Sequence, residues 1–436
     1  MSLEQTTSPP ISNRPLGKRD YKTLGLSALG GALEFYDFVI YVFFAAVVSK
    51  LFFPADMPEW LKQLQTFGIF AAGYLARPLG GIIMAHFGDL LGRTRMFTLS
   101  IVLMAMPTLI MGLMPTYATI GIAAPIILLL LRVMQGAAIG GEVPGAWVFV
   151  SEHVPPRYTG LATGILTAGL TSGILLGSLM AVIINHIYTV AQIESWAWRI
   201  PFIVGGVFGF IAMYLRRWLE ETPVFAEMKA RKALSEGLPL FGVFKGNGLS
   251  VAISMLLTWI LSAAIVVVIL MTPTLIQKSF GIPATQALAA NSWAIVALSI
   301  GAVLFGHLAD RIGAGKTTLL GSILLCASSY HFYSNLASQP ENLILNYVLV
   351  GFSVGVVGSF AFTMVRGFPA QVRFSGLSFS YNTAYAIFGG MTPIVVAAGM
   401  KNTPLMPMYY VMAMSVLGIL MGLYLWLNEE QFFKHK

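Results

Sequence analysis

Apolar runs of about 20 residues or more follow one another along this chain, each long enough to cross the ~30 Å hydrocarbon core of a bilayer as one helix. No soluble fold needs such a series. Only 10% of the 436 residues are charged and 57% are hydrophobic, whereas an ordinary soluble domain carries roughly 25% charge. Inside lipid, where the backbone has no water to bond, only helices and closed barrels survive. A barrel would show short alternating segments instead, so the chain reads as an all-α membrane protein. Breaks at charged or Pro/Gly-rich residues divide it into twelve spans. The first six are 23–49, 61–87, 96–115, 121–150, 158–187 and 200–218; the second six are 248–276, 286–307, 316–335, 342–367, 374–399 and 405–427.

The formal charge of +8 does not point to nucleic acid, because the basic residues are scattered among short loops rather than gathered on one face. They set topology. With the amino terminus inside, most Lys and Arg fall in loops on that same side, as the positive-inside rule expects. Both termini are then cytoplasmic: a tail at 1–22 with Arg14, Lys18, Arg19 and Lys22, and another at 428–436. The long polar stretch at 219–247 is a cytoplasmic linker between a bundle at 23–218 and a second at 248–427. Cys326 is the single cysteine, which excludes an intrachain disulfide. The histidines show no metal-ligand spacing and no P-loop is present, so neither a metal nor a cofactor is expected.

An internal repeat supports the two halves. Gly88-Asp89-Leu90-Leu91-Gly92-Arg93-Thr94-Arg95 follows span two, and Ala309-Asp310-Arg311-Ile312-Gly313-Ala314-Gly315-Lys316 follows span eight. Asp89 matches Asp310, Gly92 matches Gly313 and Arg95 matches Lys316 at one constant offset. Half a chain repeated is the mark of a duplicated transporter bundle. Glycine permits the tight turn, the acid can meet a helix dipole, and Arg93, Arg95 and Lys316 hold the loops inside.

Glu34 and Asp37 stand in the middle of span one, three residues apart and on one helix face. A charge at that depth costs at least ~2.5 kcal/mol and normally faces a bundle interior with a partner. Two readings are open. The pair exchanges protons across the membrane, or one of them holds helices together with a buried arginine.

The turn at 88–95, its weaker second copy, and Arg132-Val133-Met134-Gln135-Gly136 in span four resemble motifs of the major facilitator superfamily. A narrower likeness is carried by Glu34-Phe35-Tyr36-Asp37-Phe38, Arg77-Pro78-Leu79-Gly80-Gly81, Gly140-Gly141-Glu142, Trp198-Arg199-Ile200-Pro201-Phe202 and Glu221-Thr222-Pro223-Val224-Phe225, with Phe368-Pro369, Arg373, Tyr381-Asn382 and Phe388-Gly389-Gly390 in the second half. These are similar to the metabolite:proton symporters of that superfamily, which include carriers of citrate, 2-oxoglutarate, shikimate, proline and betaine. The resemblance implies twelve helices in two pseudo-symmetric six-helix bundles, alternating access, a monomer in a bacterial inner membrane, and protons as coupling ion. Ala314 stands where an arginine is usual, and Arg366 stands where an acid is expected.

The superfamily's packing of span four beside span one makes Arg132 the natural counter-ion of Asp37. The expectation is an exchangeable Asp37–Arg132 contact, with Glu34 and Glu142 as further proton sites. Glu142 reads equally as a structural acid, and Gly140-Gly141 as packing. Arg132, Tyr41, Gln135, Tyr381 and Asn382 are the candidate substrate ligands, with Trp259 and Asn291 as further cavity-lining groups. Arg77 reads as a snorkelling or packing residue. Asp89, Gly92, Arg93, Arg95, Asp310, Gly313 and Lys316 are the candidate gate. The function expected is proton-coupled import of a small organic anion, a carboxylate; uptake of a zwitterionic osmolyte and efflux are the alternatives. A membrane enzyme is disfavoured by the lack of a nucleophile, base and orienting group.

Overall fold

The computed structural model describes residues 14–81, 83, 93–216, 246–370 and 372–433. Among them there is no strand, and the helices fall into twelve consecutive segments. These are α1 (Lys18–Phe43, resuming after Phe44 as Ala45–Leu51), α2 (Glu59–Leu75, resuming after Ala76 at 77–81), α3 (Arg93–Leu113), α4 (Ala123–Ile139 and Glu142–His153), α5 (Thr159–Ile187) and α6 (Arg199–Arg216). The second set is α7 (Gly248–Ala263, Ala264–Met271 and Thr272–Phe280), α8 (Ala284–Ile312), α9 (Ala314–Asn335), α10 (Leu343–Val354 and Val357–Arg366), α11 (Arg373–Ala384, Tyr385–Gly389 and Gly390–Gly399) and α12 (Met406–Phe433). Seven helices of the described residues are long and apolar enough to cross a membrane, and the bent pair Val190–Ala197 and Arg199–Leu215 makes an eighth. Each expected span overlaps one of the twelve segments. The end expected for span two, at 87, lies outside the described residues; at the two chain ends polar side chains extend the helices past the apolar runs.

At the amino end, Asp20 accepts from the Gly17 N–H at 2.8 Å and pairs with Arg14, starting α1 five residues before its apolar run. The bond from the Arg14 guanidinium to the Asp20 carboxylate holds that guanidinium above its ordinary pKa. Arg14 also reaches the His153 carbonyl at the end of α4, at 3.5 Å. At the other end α12 continues to Phe433 through a kink at Asn428, where Glu429 accepts the Ala314 N–H at 3.0 Å and so caps α9. The expected linker at 219–247 lies outside the described residues up to 245.

Glycines decide which helices touch. A Cβ at Gly136 would overlap the Gly73 carbonyl, one at Gly80 the Ala137 backbone and one at Gly140 the Arg77 carbonyl. Thus α2 and α4 cross backbone to backbone, as small residues allow in lipid. Helix α5 has two such faces. Gly169 and Gly173 meet Ala28 and Ala32 of α1, while Gly160 and Gly164 meet Gly306 and Ala302 of α8. It is therefore a shared wall between the first six helices and the last six. Further seams between the two sets, among the described residues, are α2 and α4 against α11, α4 and α5 against α10, and α1 against α7. Three segments of the described residues, Ile193–Ala197 before α6, Ala264–Met271 in α7 and Tyr385–Gly389 in α11, are wound as π-helix; such local widening of a helix is frequent at functional sites.

Candidate functional site

The site is built on the two faces of α1. Successive helix residues point about 100° apart, so Asp37 and Phe38 serve different neighbours. Phe38 and Tyr41, three residues apart, turn toward α2 and α4, while Asp37 turns toward α6 and α3. A Cβ placed on Gly205 of α6 would lie 2.5 Å from Asp37 Oδ1 and 2.8 Å from Thr108 Cγ2, and one on Gly209 would lie 3.5 Å from Asp37 Oδ2. Two glycines thus make the slot that holds this acid. Asp37 is 1% exposed, and among the described residues neither carboxylate oxygen has a hydrogen-bond partner.

Arg132 does not pair with Asp37, which corrects the expectation from the sequence. Its Nη1 donates to the Phe38 carbonyl at 3.1 Å and to Gln135 Oε1 at 2.8 Å. The guanidinium lies over the rings of Phe38, Tyr41 and Phe70, at 4.5, 4.8 and 5.2 Å from their centroids. The depth was right and the helix face was wrong. Gln135 Nε2 donates onward to Thr108 Oγ1 at 2.6 Å, and Thr108 borders the Gly205 slot that holds Asp37. Two neutral side chains thus run from the arginine to the edge of the acid's slot.

A second guanidinium occupies a matching box. Arg77 lies 5.1 Å from the Phe38 centroid, 4.7 Å from Tyr74 and 4.5 Å from Tyr385. Phe38 serves both cations. Arg77 and Arg132 are 2% and 0% exposed, and among the described residues Arg77 Nε and Nη1 and Arg132 Nε and Nη2 have no hydrogen-bond partner. Buried guanidiniums normally find a carboxylate or carbonyl for each N–H; here aromatic faces hold the cations and leave N–H groups unused. The sequence reading took Arg77 for a packing residue. Its signal was present in the spacing Phe70, Tyr74, Arg77, one face of α2.

The last six helices close this site. Tyr385 stacks on Tyr74 at 5.4 Å, Tyr381 sits 4.8 Å from Tyr385, and Trp147 of α4 meets Tyr381 edge-on at 5.1 Å. Asn382 donates to the Gly140 carbonyl and, at 3.2 Å, to Ser378 Oγ. In this state Asn382 joins α11 to α4 rather than facing an open space, a correction to its reading as a substrate ligand here. Tyr41 spends its hydroxyl on the Thr66 carbonyl at 3.0 Å and offers its ring to Arg132. Glu34 and Glu142 are buried. Trp259 stacks on Phe388 at 4.1 Å and donates to Tyr410 at 3.0 Å, outside the arginine boxes. Asn291 is fully buried with neither amide atom bonded.

Of the expected gate, Asp89 and Gly92 lie outside the described residues; Arg93 and Arg95 open α3, their side chains likewise outside. The second copy is described in full. Asp310, at the end of α8, accepts the Gly160 N–H at 2.7 Å and the Leu161 N–H at 2.8 Å. A carboxylate from the second half thereby caps the start of α5 in the first, where the dipole favours it. Gly313 has φ +93°, which suits a residue without Cβ and lets Glu429 approach. Lys316 lies 5.6 Å from the Trp426 centroid, and Arg366 lies 5.3 Å from both Phe362 and Phe433. Arg373 and Glu152 form a second link between the halves at 3.7 Å. At the opposite end Ser178 and Ser292 are 2.9 Å apart, and Lys401 lies 5.7 Å from the Trp60 centroid.

Three comparisons agree with this architecture. Residues 28–393 match the sequence model of the Major Facilitator Superfamily. A proline/betaine transporter of Salmonella typhimurium is 32% identical over 423 residues, covering 92% of this chain and 82% of that protein. An inner membrane metabolite transport protein of Escherichia coli is 32% identical over 395 residues, covering 88% of each. Among solved structures, a proton:xylose symporter bound to 6-bromo-6-deoxy-D-glucose superposes with a TM-score of 0.77 at 15% identity, covering 93% of this chain and 95% of that one. A partially occluded inward-open xylose transporter from E. coli gives 0.73, also at 15% identity; both likenesses concern the fold. Twelve helices, a duplicated turn and a family match over most of the length lead to one conclusion: this chain is a multi-pass membrane transporter belonging to the major facilitator superfamily.

Proposed function

We propose that the chain is a proton-coupled symporter of a small carboxylate-bearing zwitterion of the proline/betaine class, working by alternating access in a bacterial inner membrane with both termini cytoplasmic. The observation that carries this reading is the pair of buried guanidiniums, Arg77 and Arg132, each held by three aromatic rings with N–H groups to spare. A carboxylate is the group that uses such donors, two at a time. The wall of Tyr74, Tyr385, Tyr381 and Trp147 that adjoins them supplies aromatic faces for an onium. The relatives named as proline/betaine transporters favour this class over the simple organic anion expected from the sequence. Asp37, buried without a partner, is the proton site; Glu34 and Glu142 are secondary ones. Arg132, Gln135 and Tyr41 act at the substrate, with Tyr381 and Asn382 moving with α11. The Asp310 carboxylate, with Gly313 and Lys316 behind it, latches the basic end, and Asp89, Gly92, Arg93 and Arg95 are the first-half counterpart.

The organic anion remains a second reading on one specific ground. Two guanidiniums carry more positive charge than a single carboxylate neutralises. Proteoliposomes with an acidic exterior separate the two: accumulation of glycine betaine or L-proline, abolished by a protonophore and not competed by di- and tricarboxylates, supports the zwitterion. Competition by the polycarboxylates alone overturns it in favour of the anion. Loading the vesicles and reversing the gradient tests efflux.

A further inference from the structure

Between Asp37 and Arg132 stands Thr108. Its Oγ1 accepts from Gln135 Nε2 at 2.6 Å and donates to the Met104 carbonyl at 2.9 Å, and its methyl borders the same gap over Gly205 that Asp37 Oδ1 borders. We propose that Thr108 is a rotamer switch, passing the protonation state of Asp37 through Gln135 to Arg132. This rests on the reading of Asp37 as the proton site.

Threonine suits the task physically. In a helix it divides between two χ1 rotamers, because its hydroxyl can bond the i−3 or i−4 carbonyl in either. In the present rotamer the hydroxyl is bonded to Gln135 and the methyl lines the Gly205 slot that also holds the carboxyl group, an arrangement that tolerates a neutral acid. An ionised Asp37 in an apolar slot needs a donor, and Thr108 carries a hydroxyl at the edge of that slot. Turning χ1 by about 120° brings the O–H to the carboxylate and takes the acceptor away from Gln135. The amide of Gln135 is then free at one end, and its hold on Arg132 Nη1 loosens. With Asp37 protonated the chain Thr108–Gln135–Arg132 is intact and the guanidinium is fixed for a carboxylate. Proton binding then precedes tight substrate binding, an order compatible with symport.

The surroundings leave Asp37 few other partners. On α1 its charged neighbour is Glu34, and Tyr36 donates its hydroxyl to the Pro201 carbonyl at 2.8 Å. Helix α6 presents Gly205 and Gly209, α3 presents Ala105 and Thr108, and α4 directs Arg132 to the Phe38 side. Among these groups only Thr108 links the two sites.

The test needs no substrate. Infrared difference spectra of the reconstituted full chain are recorded as the pH is stepped, with Asp37→Asn identifying the carboxylic C=O band and Gln135→Glu identifying a glutamine side-chain amide band that changes with it. Thr108→Val, which keeps the shape and removes the hydroxyl, should retain the Asp37 band and lose the coupled amide change. Thr108→Ser should restore it. The proposal is overturned by an amide change that persists in Thr108→Val, or by the lack of any Asp37 band in the parent protein. Failure of the substrate reading would show only in the uptake assay and leave these spectra unaffected.

Discussion

Replacing Asp310 by asparagine removes a charge from the best-defined contact between the two halves. The carboxylate accepts two backbone N–H bonds, at 2.7 and 2.8 Å, from the first residues of α5. Asparagine keeps one acceptor oxygen and places an NH2 against the other N–H. One charge-assisted hydrogen bond is worth about 1.5–3 kcal/mol, and the interaction of the charge with the helix start adds about 0.3–1 kcal/mol. A loss of about 2 kcal/mol is a reasonable middle, because the amide retains part of the contact. If the latch forms only while this end is closed, the closed population falls roughly 30-fold against the open one, at 1.4 kcal/mol per factor of ten. Spin labels on Arg157 and Lys316, both exposed at this end, in a Cys326→Ser background, report the separation of α5 from α9. Asp310→Asn should add a long-distance component in double electron–electron resonance, and Asp310→Glu should add less. An unchanged distance distribution in Asp310→Asn would refute the latch.

Asp37→Asn should abolish accumulation driven by a pH gradient while sparing exchange of labelled for unlabelled glycine betaine; loss of both points to a structural acid. Arg77→Lys and Arg132→Lys should each weaken betaine binding by about 10- to 100-fold, the loss of one charge-assisted bond and the planar fork, with the thermal stability of the empty protein little changed. Equal affinity in calorimetry would remove that arginine from the site. Gly136→Ala drives a methyl into the Gly73 carbonyl; overpacking of this kind costs about 1–3 kcal/mol, so the melting temperature in detergent should fall, while Gly25→Ala, with open space around it, should leave it unchanged.

The twelve spans were legible because lipid imposes one rule on every segment, and a run of apolar residues announces it without help from the rest of the chain. The repeat carrying Asp89 and Asp310 was legible for a similar reason: it is local. The Asp37–Arg132 pairing was not, although both residues were singled out and their depth agreed. Depth follows from counting residues along a span, whereas the face a side chain uses depends on which neighbour comes close. Gly205 and Gly209 settle that for Asp37, and nothing in span one names them. Arg77 was missed because a single arginine near Pro78 resembles a snorkelling residue. The box appears only when Phe38 and Tyr385 arrive from α1 and α11. Thr108 carried no signal in an apolar run, since its role exists only between Gln135 and Asp37.

The most direct test of the account is proton movement caused by the solute itself. Glycine betaine is added to proteoliposomes in weak buffer, and the external pH is followed. The account predicts alkalinisation outside in step with betaine entry, absent in Asp37→Asn and reduced in Arg77→Lys and Arg132→Lys. Betaine entry with no accompanying proton, or proton uptake that survives in Asp37→Asn, would contradict it.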